Sequence, residues 1–389
     1  MVEEVDPLNK SNTESIKPPV KKVAAKVSSK GASRRALQGE LKKFDNLISK
    51  LDKSCKVALF SHPHPDPDSI GSMMGLAWFL EKNYEIEADC FFDGEVAHPQ
   101  NNTMCNLLEP QLKPVLEEYK SSDYSLNILL DTVPSNAGVC EFDINFDVVI
   151  DHHRDLPSVD YKGLVVHLKT GSCSAIIFYM MESLLKDGIW FEHDADEDKK
   201  VATALISGVI TDTEYMMSED TTEYEFEAFS KLFEYRNVNF LKQIVFYKRP
   251  KFWIDAKAKA CSQATIDNEG YAVVGLGLIP DKQRDLLADM AEEMVSWASV
   301  ETAIAFAVVG NDRIEGSVRS LDPSVSVSDF CKKLGGSYGT GGGKHGKGAY
   351  RYSLGGMSID VDEDDDTINK TWELINQKET KRIIRQIKK

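Results

Sequence analysis

The chain has 389 residues, of which 42% are hydrophobic, and it carries 46 Lys and Arg against 62 Asp and Glu, a net charge of −16. It is longer than one ordinary domain and apolar enough for two cores, since domains have roughly 100–200 residues. No apolar run approaches the ~18–20 residues that cross a bilayer, and no basic and apolar leader opens the sequence. A membrane span and secretion are therefore not expected, and the acidic excess argues against a surface that tracks long nucleic acids.

The seven cysteines are odd in number, widely spaced and never arranged as C-x-x-C. This usage predicts neither a disulfide framework nor a thiolate zinc site. A reduced, cytoplasmic location fits best.

Both ends of the chain are basic, whereas its body is acidic. Residues 1–45 carry ten Lys and Arg against six Asp and Glu, and residues 367–389 carry seven against two, which leaves −25 on residues 46–366. We expect residues 1–45 to be a disordered basic arm that becomes helical near Arg35–Leu51, and residues 366–389 to be a basic helix. The tails could contact RNA or protein, although a solubilising role is the simpler interpretation.

From Lys56 onward, short β-rich runs alternate with helical stretches. The predicted strands are Val57–Ser61, Ile86–Phe92, Leu126–Asp131, Val148–Asp151 and Leu164–Leu168. The predicted helices are Ile70–Glu81, Ser174–Lys186 and Lys199–Val209. This alternation predicts a doubly wound, mainly parallel sheet over residues 46–221.

The second half of the chain predicts a smaller lobe. Residues 222–262 have apolar positions at helix spacing, which indicates a helical connector. Residues 263–365 predict a mixed α/β domain. Its predicted elements are the strands Ala272–Leu278, Thr302–Val309 and Arg313–Arg319, the helices Asp281–Ala298 and Val327–Leu334, and a glycine-rich loop at 335–348. The expected fold is therefore α/β with two lobes.

The first chemical motif directly follows the first predicted strand. It contains His62, His64, Asp66 and Asp68, with a proline after each of the first three. These prolines are expected to exclude a helix and hold the segment extended, so that His62, Asp66 and Asp68 point into one cavity. A helix that favours anions at its N-terminus would start just beyond. One His and two Asp suit a hard metal ion, and a solvated proline-rich loop is the alternative.

Three further acidic motifs follow apolar runs. Asp131 and Asp151 each end a predicted strand, and Asp212 ends a helical run between two threonines. A carboxylate at such a place is costly unless it lies at the carboxyl edge of the sheet, where α/β proteins bind ligands. Asp131 or Asp212 alone could be a capping residue. The adjacent His152 and His153 beside Asp151 suit metal binding and proton transfer.

Together these motifs supply nitrogen and oxygen ligands and no sulfur, as two adjacent hard or borderline divalent ions require. The six candidate ligands are His62, Asp66, Asp68, Asp131, His152 and Asp212. An aspartate between ions ~3.5–4 Å apart would place a shared water where its pKa falls towards neutrality. The pattern predicts a hydrolase of phosphate esters.

These motifs resemble those of the DHH phosphoesterases, named for the triplet that is Asp151-His152-His153 here, and their order matches across residues 56–213. The second lobe is similar to the DHH-associated domain of the first type, DHHA1. Gly316-Ser-Val-Arg319-Ser320 resembles its strand ending in Arg-Ser, and Gly341-Gly-Gly-Lys-His345 resembles its GGGH motif. The resemblance covers most of residues 46–360.

The resemblance implies two divalent ions, usually manganese. His62 and Asp66 would hold the first ion, Asp68, His152 and Asp212 the second, and Asp131 would bridge them. Asp151 would orient a ligand.

The resemblance also implies how substrate is held. His153 would contact the scissile phosphate or protonate the leaving oxygen. Another phosphate or the terminal nucleotide would be bound by residues of the second lobe. These are Arg319, Ser320, Gly341, Gly342, Gly343 and His345. Two positions depart from the family pattern: Glu214 follows Asp212-Thr213 in the first lobe where the family usually has glycine, and Lys344 stands between Gly343 and His345 in the second.

The branch that the sequence resembles most is that of the nano-RNase/pAp phosphatases, which are similar to oligoribonucleases. This implies hydrolysis of very short oligonucleotides to nucleoside monophosphates, and of pAp as a further substrate. The alternatives are a phosphodiesterase of cyclic dinucleotides such as c-di-AMP and a catalytically silent nucleotide-binding regulatory module. The sequence leaves open the polarity of cleavage, the preference for RNA or DNA, and whether two copies form a homodimer.

Overall fold

The fold is described from a computed structural model. It describes residues 27–135, 139, 143–153, 161–344, 346–360 and 362–387, with side chains from Leu37 onward. In this part of the chain, no helix combines the length and the apolar character that a membrane span requires.

The first helix, α1, spans Val27–Ile48 and begins earlier than the sequence indicates. Leu37, Leu41, Phe44 and Ile48 recur at helix spacing and are buried in the core of the first lobe. The helix that the sequence predicts near Arg35–Leu51 is thus present, begins at Val27 and is fixed on the domain by its apolar stripe. The expectation for residues 1–26 lies outside the described residues.

The first lobe contains a six-stranded parallel sheet in the order β3-β2-β1-β4-β5-β6. Its strands are β1 (Lys56–Phe60), β2 (Glu87–Phe92), β3 (Leu112–Pro114), β4 (Leu126–Leu130), β5 (Val148–Asp151) and β6 (Leu164–His167). The strand order changes direction between β1 and β4, where doubly wound folds bind ligands at the carboxyl ends of the strands. The predicted doubly wound, mainly parallel sheet is confirmed.

Helices cover both faces of this sheet. They are α2 (Pro67–Tyr84), α3 (Pro99–Leu108), α4 (Val115–Glu118), α5 (Cys173–Leu184) and α6 (Asp196–Asp212). Within β1, Val57 and Leu59 belong to the larger core cluster, and Ala58 and Phe60 belong to the cluster on the other face. This period of two explains why the strand is apolar at each position from Val57 to Phe60.

The connector consists of three helices, α7 (Glu223–Leu232), α8 (Val238–Val245) and α9 (Lys251–Gln263). A capping box formed by Thr222 and Glu225 starts α7. Leu232 and Ile244 are buried in the core of the first lobe, whereas Trp253 is buried in the second lobe. The connector is therefore part of both cores.

The second lobe has a mixed six-stranded sheet in the order β11-β12-β10-β9-β8-β7. Its strands are β7 (Thr265–Ile266), β8 (Tyr271–Ile279), β9 (Thr302–Val309), β10 (Arg313–Ser320), β11 (Gly339–Lys344) and β12 (Lys347–Ser353). Its helices are α10 (Leu286–Val295), α11 (Val327–Gly335) and α12 (Asp365–Ile387). Trp372, Ile375 and Ile383 of α12 are buried in this lobe. The expected two-lobe α/β fold is confirmed.

The glycine-rich segment is not the loop that the sequence indicates. Its described residues form most of the β11–β12 hairpin, with Gly342 paired to Ala349. A Cβ atom on Gly341 would collide with the carbonyl oxygen of Cys331 on α11. Glycine here therefore allows a strand to lie directly on a helix rather than providing a flexible loop.

Candidate metal centre

The segment after β1 turns into helix α2 sooner than expected. Pro67 is the first residue of the helix and Asp66 is its N-cap, with Asp66 Oδ1 accepting the amides of Asp68 and Ser69 at 3.0 and 2.9 Å. The expectation that the prolines exclude a helix is wrong at Pro67, because a proline at the first helical position loses no hydrogen bond. Asp66 Oδ2 remains available and lies 3.7 Å from His62 Nε2.

Asp131 follows β4 in a left-handed backbone conformation, with φ of 59°. Aspartate is one of the few residues other than glycine that accept this conformation. Its Oδ2 accepts the Ser69 hydroxyl at 2.7 Å and lies 3.7 Å from His62 Nε2, while its Oδ1 lies 3.4 Å from His152 Nε2. The carboxylate therefore lies between the two imidazoles.

A second group forms around Asp68, which is fully buried. Its two oxygens accept the amides of Cys173 and Ser174 at 2.6 and 2.8 Å, at the first turn of α5. Beside it, His152 Nε2 lies 3.3 Å from Asp212 Oδ2 at the end of α6. The switch point of the sheet thus brings residues from four separate parts of the chain together.

All six predicted ligands lie at this one place. Ligand atoms of His62, Asp66 and Asp131 are within 4.8 Å of one another, and the same holds for Asp68, His152 and Asp212. Asp131 also groups with His152 and His153 in this way. Asp131 therefore belongs to the first group and lies beside His152 of the second.

The site carries buried polar atoms without hydrogen-bond partners, namely Asp131 Oδ1, Asp151 Oδ2 and His152 Nε2. Such atoms are costly unless something else satisfies them. Burial and the neighbouring Asp131 carboxylate raise the pKa of Asp68 to about 7, which reflects excess negative charge in a small volume. Unpaired oxygen and nitrogen donors with excess negative charge fit divalent cations.

Both histidine ligands are oriented by the chain itself. His152 Nδ1 lies 3.1 Å from the carbonyl oxygen of Thr170, and His62 Nδ1 lies 2.9 Å from that of Pro63. Only a protonated Nδ1 can donate to a carbonyl, so Nε2 of each ring is the nitrogen that can bind a metal ion. The Ser69 hydroxyl also lies 2.9 Å from His62 Nε2, so it contacts both this ring and Asp131.

His153 occupies the open side of the site, and 39% of its side chain is exposed. Its Nδ1 lies 2.8 Å from Asp151 Oδ1. A cavity of about 180 Å³ is lined by His153 together with Asp131, Asp151 and Asp212. Because Nδ1 is engaged, Nε2 of His153 is the nitrogen that can exchange a proton with a bound molecule.

Two predicted substrate residues, Arg319 and Ser320, form hydrogen bonds within the second lobe. Arg319 Nε donates to Glu292 at 2.7 Å, and Arg319 Nη1 donates to the carbonyl of Val318 at 3.0 Å. Ser320 Oγ lies 2.8 Å from Thr302 Oγ1. Ser320 is thus bonded within its own lobe, and the guanidinium is partly occupied by a carboxylate.

The hairpin contacts the first lobe close to the metal cluster, through a residue that was not predicted from the sequence. Lys347 forms an ion pair with Glu214, which lies two residues beyond Asp212. Gly341 and Gly343 are closely packed against other backbone atoms, whereas a Cβ on Gly342 would meet no atom within 4 Å. The surface beside Gly342 is therefore not covered by neighbouring atoms. The predicted His345 lies outside the described residues.

Ser69, Thr170 and Lys347 were not predicted as site residues. The spacing of Ser69 from Asp66 marks only a helix start, and Thr170 acts through its carbonyl, which any residue has. Lys347 contacts Glu214, whose side chain is 47% exposed and needs no cation, so the sequence carried no signal for this contact.

Comparison with known proteins defines the class of the first lobe. Residues 56–209 match the DHH family, N-terminal domain, so the predicted DHH resemblance is confirmed for this part of the chain. An exopolyphosphatase-related protein from Bacteroides fragilis has the same fold, with a TM-score of 0.55, 16% identity, and coverage of 89% of this chain and 98% of that protein.

Two curated relatives are similar in sequence. An uncharacterized protein of Methanocaldococcus jannaschii is 28% identical over 305 residues, which is 78% of this chain and 59% of the relative. A protein of Streptococcus thermophilus named probable manganese-dependent inorganic pyrophosphatase is 27% identical over 168 residues, 43% of this chain and 51% of the relative. The chain thus spans a little over half the length of these relatives.

Proposed function

We propose that the protein is a two-metal phosphodiesterase that hydrolyses very short oligonucleotides to nucleoside monophosphates, with pAp as a further substrate. The observation that carries this proposal is the position of Asp131 at the edge of the sheet, with one carboxylate oxygen near His62 of the first ligand group and the other near His152 of the second. A shared carboxylate is the arrangement that two adjacent ions need.

The proposed ions are manganese. One would be held by His62 and Asp66, the other by Asp68, His152 and Asp212, with Asp131 shared. The relatives named as manganese-dependent pyrophosphatases support this choice, and so does a ligand set of nitrogen and oxygen. When bound, such ions lower the pKa of a coordinated water and offset charge on phosphate.

The other residues of the site have roles that follow from their contacts. Ser69 holds Asp131 Oδ2, which leaves Oδ1 free. Asp151 holds His153 Nδ1, so His153 presents Nε2 to the opening of the cavity. In the proposed reaction this Nε2–H group donates a proton to the leaving oxygen.

The strand register of the second sheet supports a short substrate. Arg319 pairs with Lys347, and Lys347 pairs with Lys344, so three cations lie side by side on one face. The next positions on that face are Ser317, Ala349 and Gly342, which are small. A phosphate group fits the row of cations, and a nucleoside fits beside Ala349, which is exposed, and Gly342, where a Cβ would meet no atom within 4 Å. Because residues 46–366 carry a net charge of −25, few further phosphates would be bound.

A substrate panel tests this proposal. The full chain with Mn²⁺ is assayed against RNA and DNA of two to five nucleotides, a 24-mer, pAp, c-di-AMP and pyrophosphate. We expect kcat/KM to be highest for the di- to tetranucleotides, measurable for pAp and at least about tenfold lower for the 24-mer, because the cationic row is short.

The other members of the panel represent competing functions. A preference for pyrophosphate would favour the activity for which the Streptococcus thermophilus relative is named. A preference for c-di-AMP would favour the cyclic dinucleotide alternative. Tight nucleotide binding without hydrolysis of any substrate would contradict the enzyme and favour a regulatory module.

A further inference from the structure

We propose that Glu225, on the first connector helix, is a positioning residue that fixes two ligands of the second metal group, Asp68 and His152. The inference rests on the metal centre of the proposed function. The sequence motifs do not point to this residue, which lies outside the residues 56–209 that match the DHH family.

Glu225 is completely buried, with 0% of its surface exposed. Its Oε2 accepts the amide and the hydroxyl of Thr222, both at 2.7 Å. Its Oε1 accepts the amide of Gly171 at 3.0 Å and also the hydroxyl of Thr170. A capping box needs only the first pair of contacts, so the second pair serves another purpose.

The second pair of contacts fixes the loop between β6 and α5. Thr170, whose hydroxyl is bound to Glu225, uses its carbonyl oxygen to engage His152 Nδ1 at 3.1 Å. Gly171 is enclosed as well, since a Cβ there would lie 2.7 Å from Thr213 Cγ2 and 3.4 Å from the Glu225 carboxyl. The loop therefore cannot move without moving the group that orients His152.

The same loop continues into the amides that hold Asp68. Ser172 caps α5 by accepting the amide of Ala175 at 3.2 Å. The amides of Cys173 and Ser174 then bind the two oxygens of Asp68. Five consecutive residues thus connect one buried carboxylate of the connector to two proposed ligands of the same ion.

The first metal group has separate supports. His62 is oriented by the carbonyl of Pro63, and Asp66 by the amides of its own helix. A change at Glu225 should therefore weaken the second ion and spare the first. Loss of a group that orients a metal ligand typically costs about 10–100-fold in metal affinity.

The test compares Mn²⁺ binding by the metal-free full chain and by Glu225→Gln, using titration calorimetry and electron paramagnetic resonance. The amide of glutamine keeps the shape but places an NH₂ group against N–H or O–H donors. We expect two bound ions with spin coupling in the wild type, and in the variant one ion of unchanged affinity and a second weakened about 10–100-fold.

The matched control is Glu379→Gln. Glu379 is also buried, with 2% exposure, and accepts the hydroxyls of Tyr350 and Tyr352 at 2.8 and 2.6 Å, but it lies in the second lobe. This variant should bind two ions as the wild type does. A second variant, Thr170→Val, removes the hydroxyl contact to Glu225 and keeps the carbonyl, so it should weaken only the second ion, by about threefold.

Two ions bound at wild-type affinity by a folded Glu225→Gln, or equal weakening of both ions, would overturn the inference. If Glu225→Gln does not fold, Thr170→Val decides, because unchanged binding in that variant also overturns it. A wild type that binds two ions but hydrolyses no member of the substrate panel would contradict the proposed function. Selective loss of the second ion would still support the role of Glu225.

Discussion

The two lobes present charge in opposite ways. At the sheet edge of the first lobe, Asp68 and Asp131 are buried, and their positions are fixed by amides and a hydroxyl. In the sheet of the second lobe, 40% of the Lys347 side chain is exposed. Its ammonium group forms an ion pair with the carboxylate of Glu214. A buried carboxylate cluster can place metal ions accurately, whereas exposed cations on long side chains can adapt to different phosphates.

This difference predicts that changes in the first lobe affect the rate of the chemical step and changes in the second lobe affect substrate affinity. Substitutions of matched size in each lobe can test the distinction.

The largest effect is expected for Asp131→Asn. Asparagine tolerates the left-handed backbone at this position, so the fold should persist, while the charge shared by both metal groups is lost. We expect kcat to fall by more than about 100-fold, since even a residue that only orients a ligand is worth about 10–100-fold. Steady-state kinetics with saturating Mn²⁺ measures this.

Asp198→Asn is the control for this variant. Asp198 is a buried aspartate of the same lobe that accepts the indole N–H of Trp78 at 2.7 Å, away from the metal cluster. Its kcat should stay close to that of the wild type. An Asp131→Asn protein as active as Asp198→Asn would rule out the shared carboxylate as the centre of the reaction.

The next effect is expected for His153→Gln. This change removes the proposed proton donor while leaving all six ligands in place, so kcat should fall about 100-fold with two Mn²⁺ still bound. A substrate with a good leaving group, such as a nitrophenyl ester of a nucleotide, needs no proton donor and should lose much less. Equal losses on both substrates would contradict the proposed role of His153.

The smallest effect is expected for Lys347→Ala in the second lobe. Because the ammonium group is partly exposed, its contact with phosphate is screened, and KM for a dinucleotide should rise only about three- to tenfold with kcat unchanged. Lys332→Ala is the control, since Lys332 is exposed on α11 beside Asp329. A fall in kcat without a change in KM would mean that the lobes do not divide binding and chemistry.

The sequence was sufficient to predict that the six candidate ligands lie together. Each candidate ligand directly follows an apolar run or stands among prolines, and parallel strands bring their carboxyl ends to one edge. This prediction does not depend on the order of the strands in the sheet. This is why the sequence alone predicts that His62, Asp131 and His152 lie close together.

The supports of the cluster could not be predicted, because they depend on contacts between distant parts of the chain. Glu225 approaches Thr170 across 55 positions, and Lys347 meets Glu214 across the lobes. The prediction of a glycine-rich loop was also wrong. Local composition indicates flexibility, but pairing with β12 and packing on α11 make the segment a strand. Position within the tertiary structure outweighs local preference in these cases.

The strand order of the first sheet has a consequence for biosynthesis. The central strand β1 pairs with β2 and with β4, so the middle of the sheet closes only when residues near 130 have left the ribosome. Asp212 follows Asp131 by about 80 residues, which at ~5–20 residues per second takes several seconds. We therefore expect the nascent chain to complete the first ligand group before the second, and to bind its second ion last.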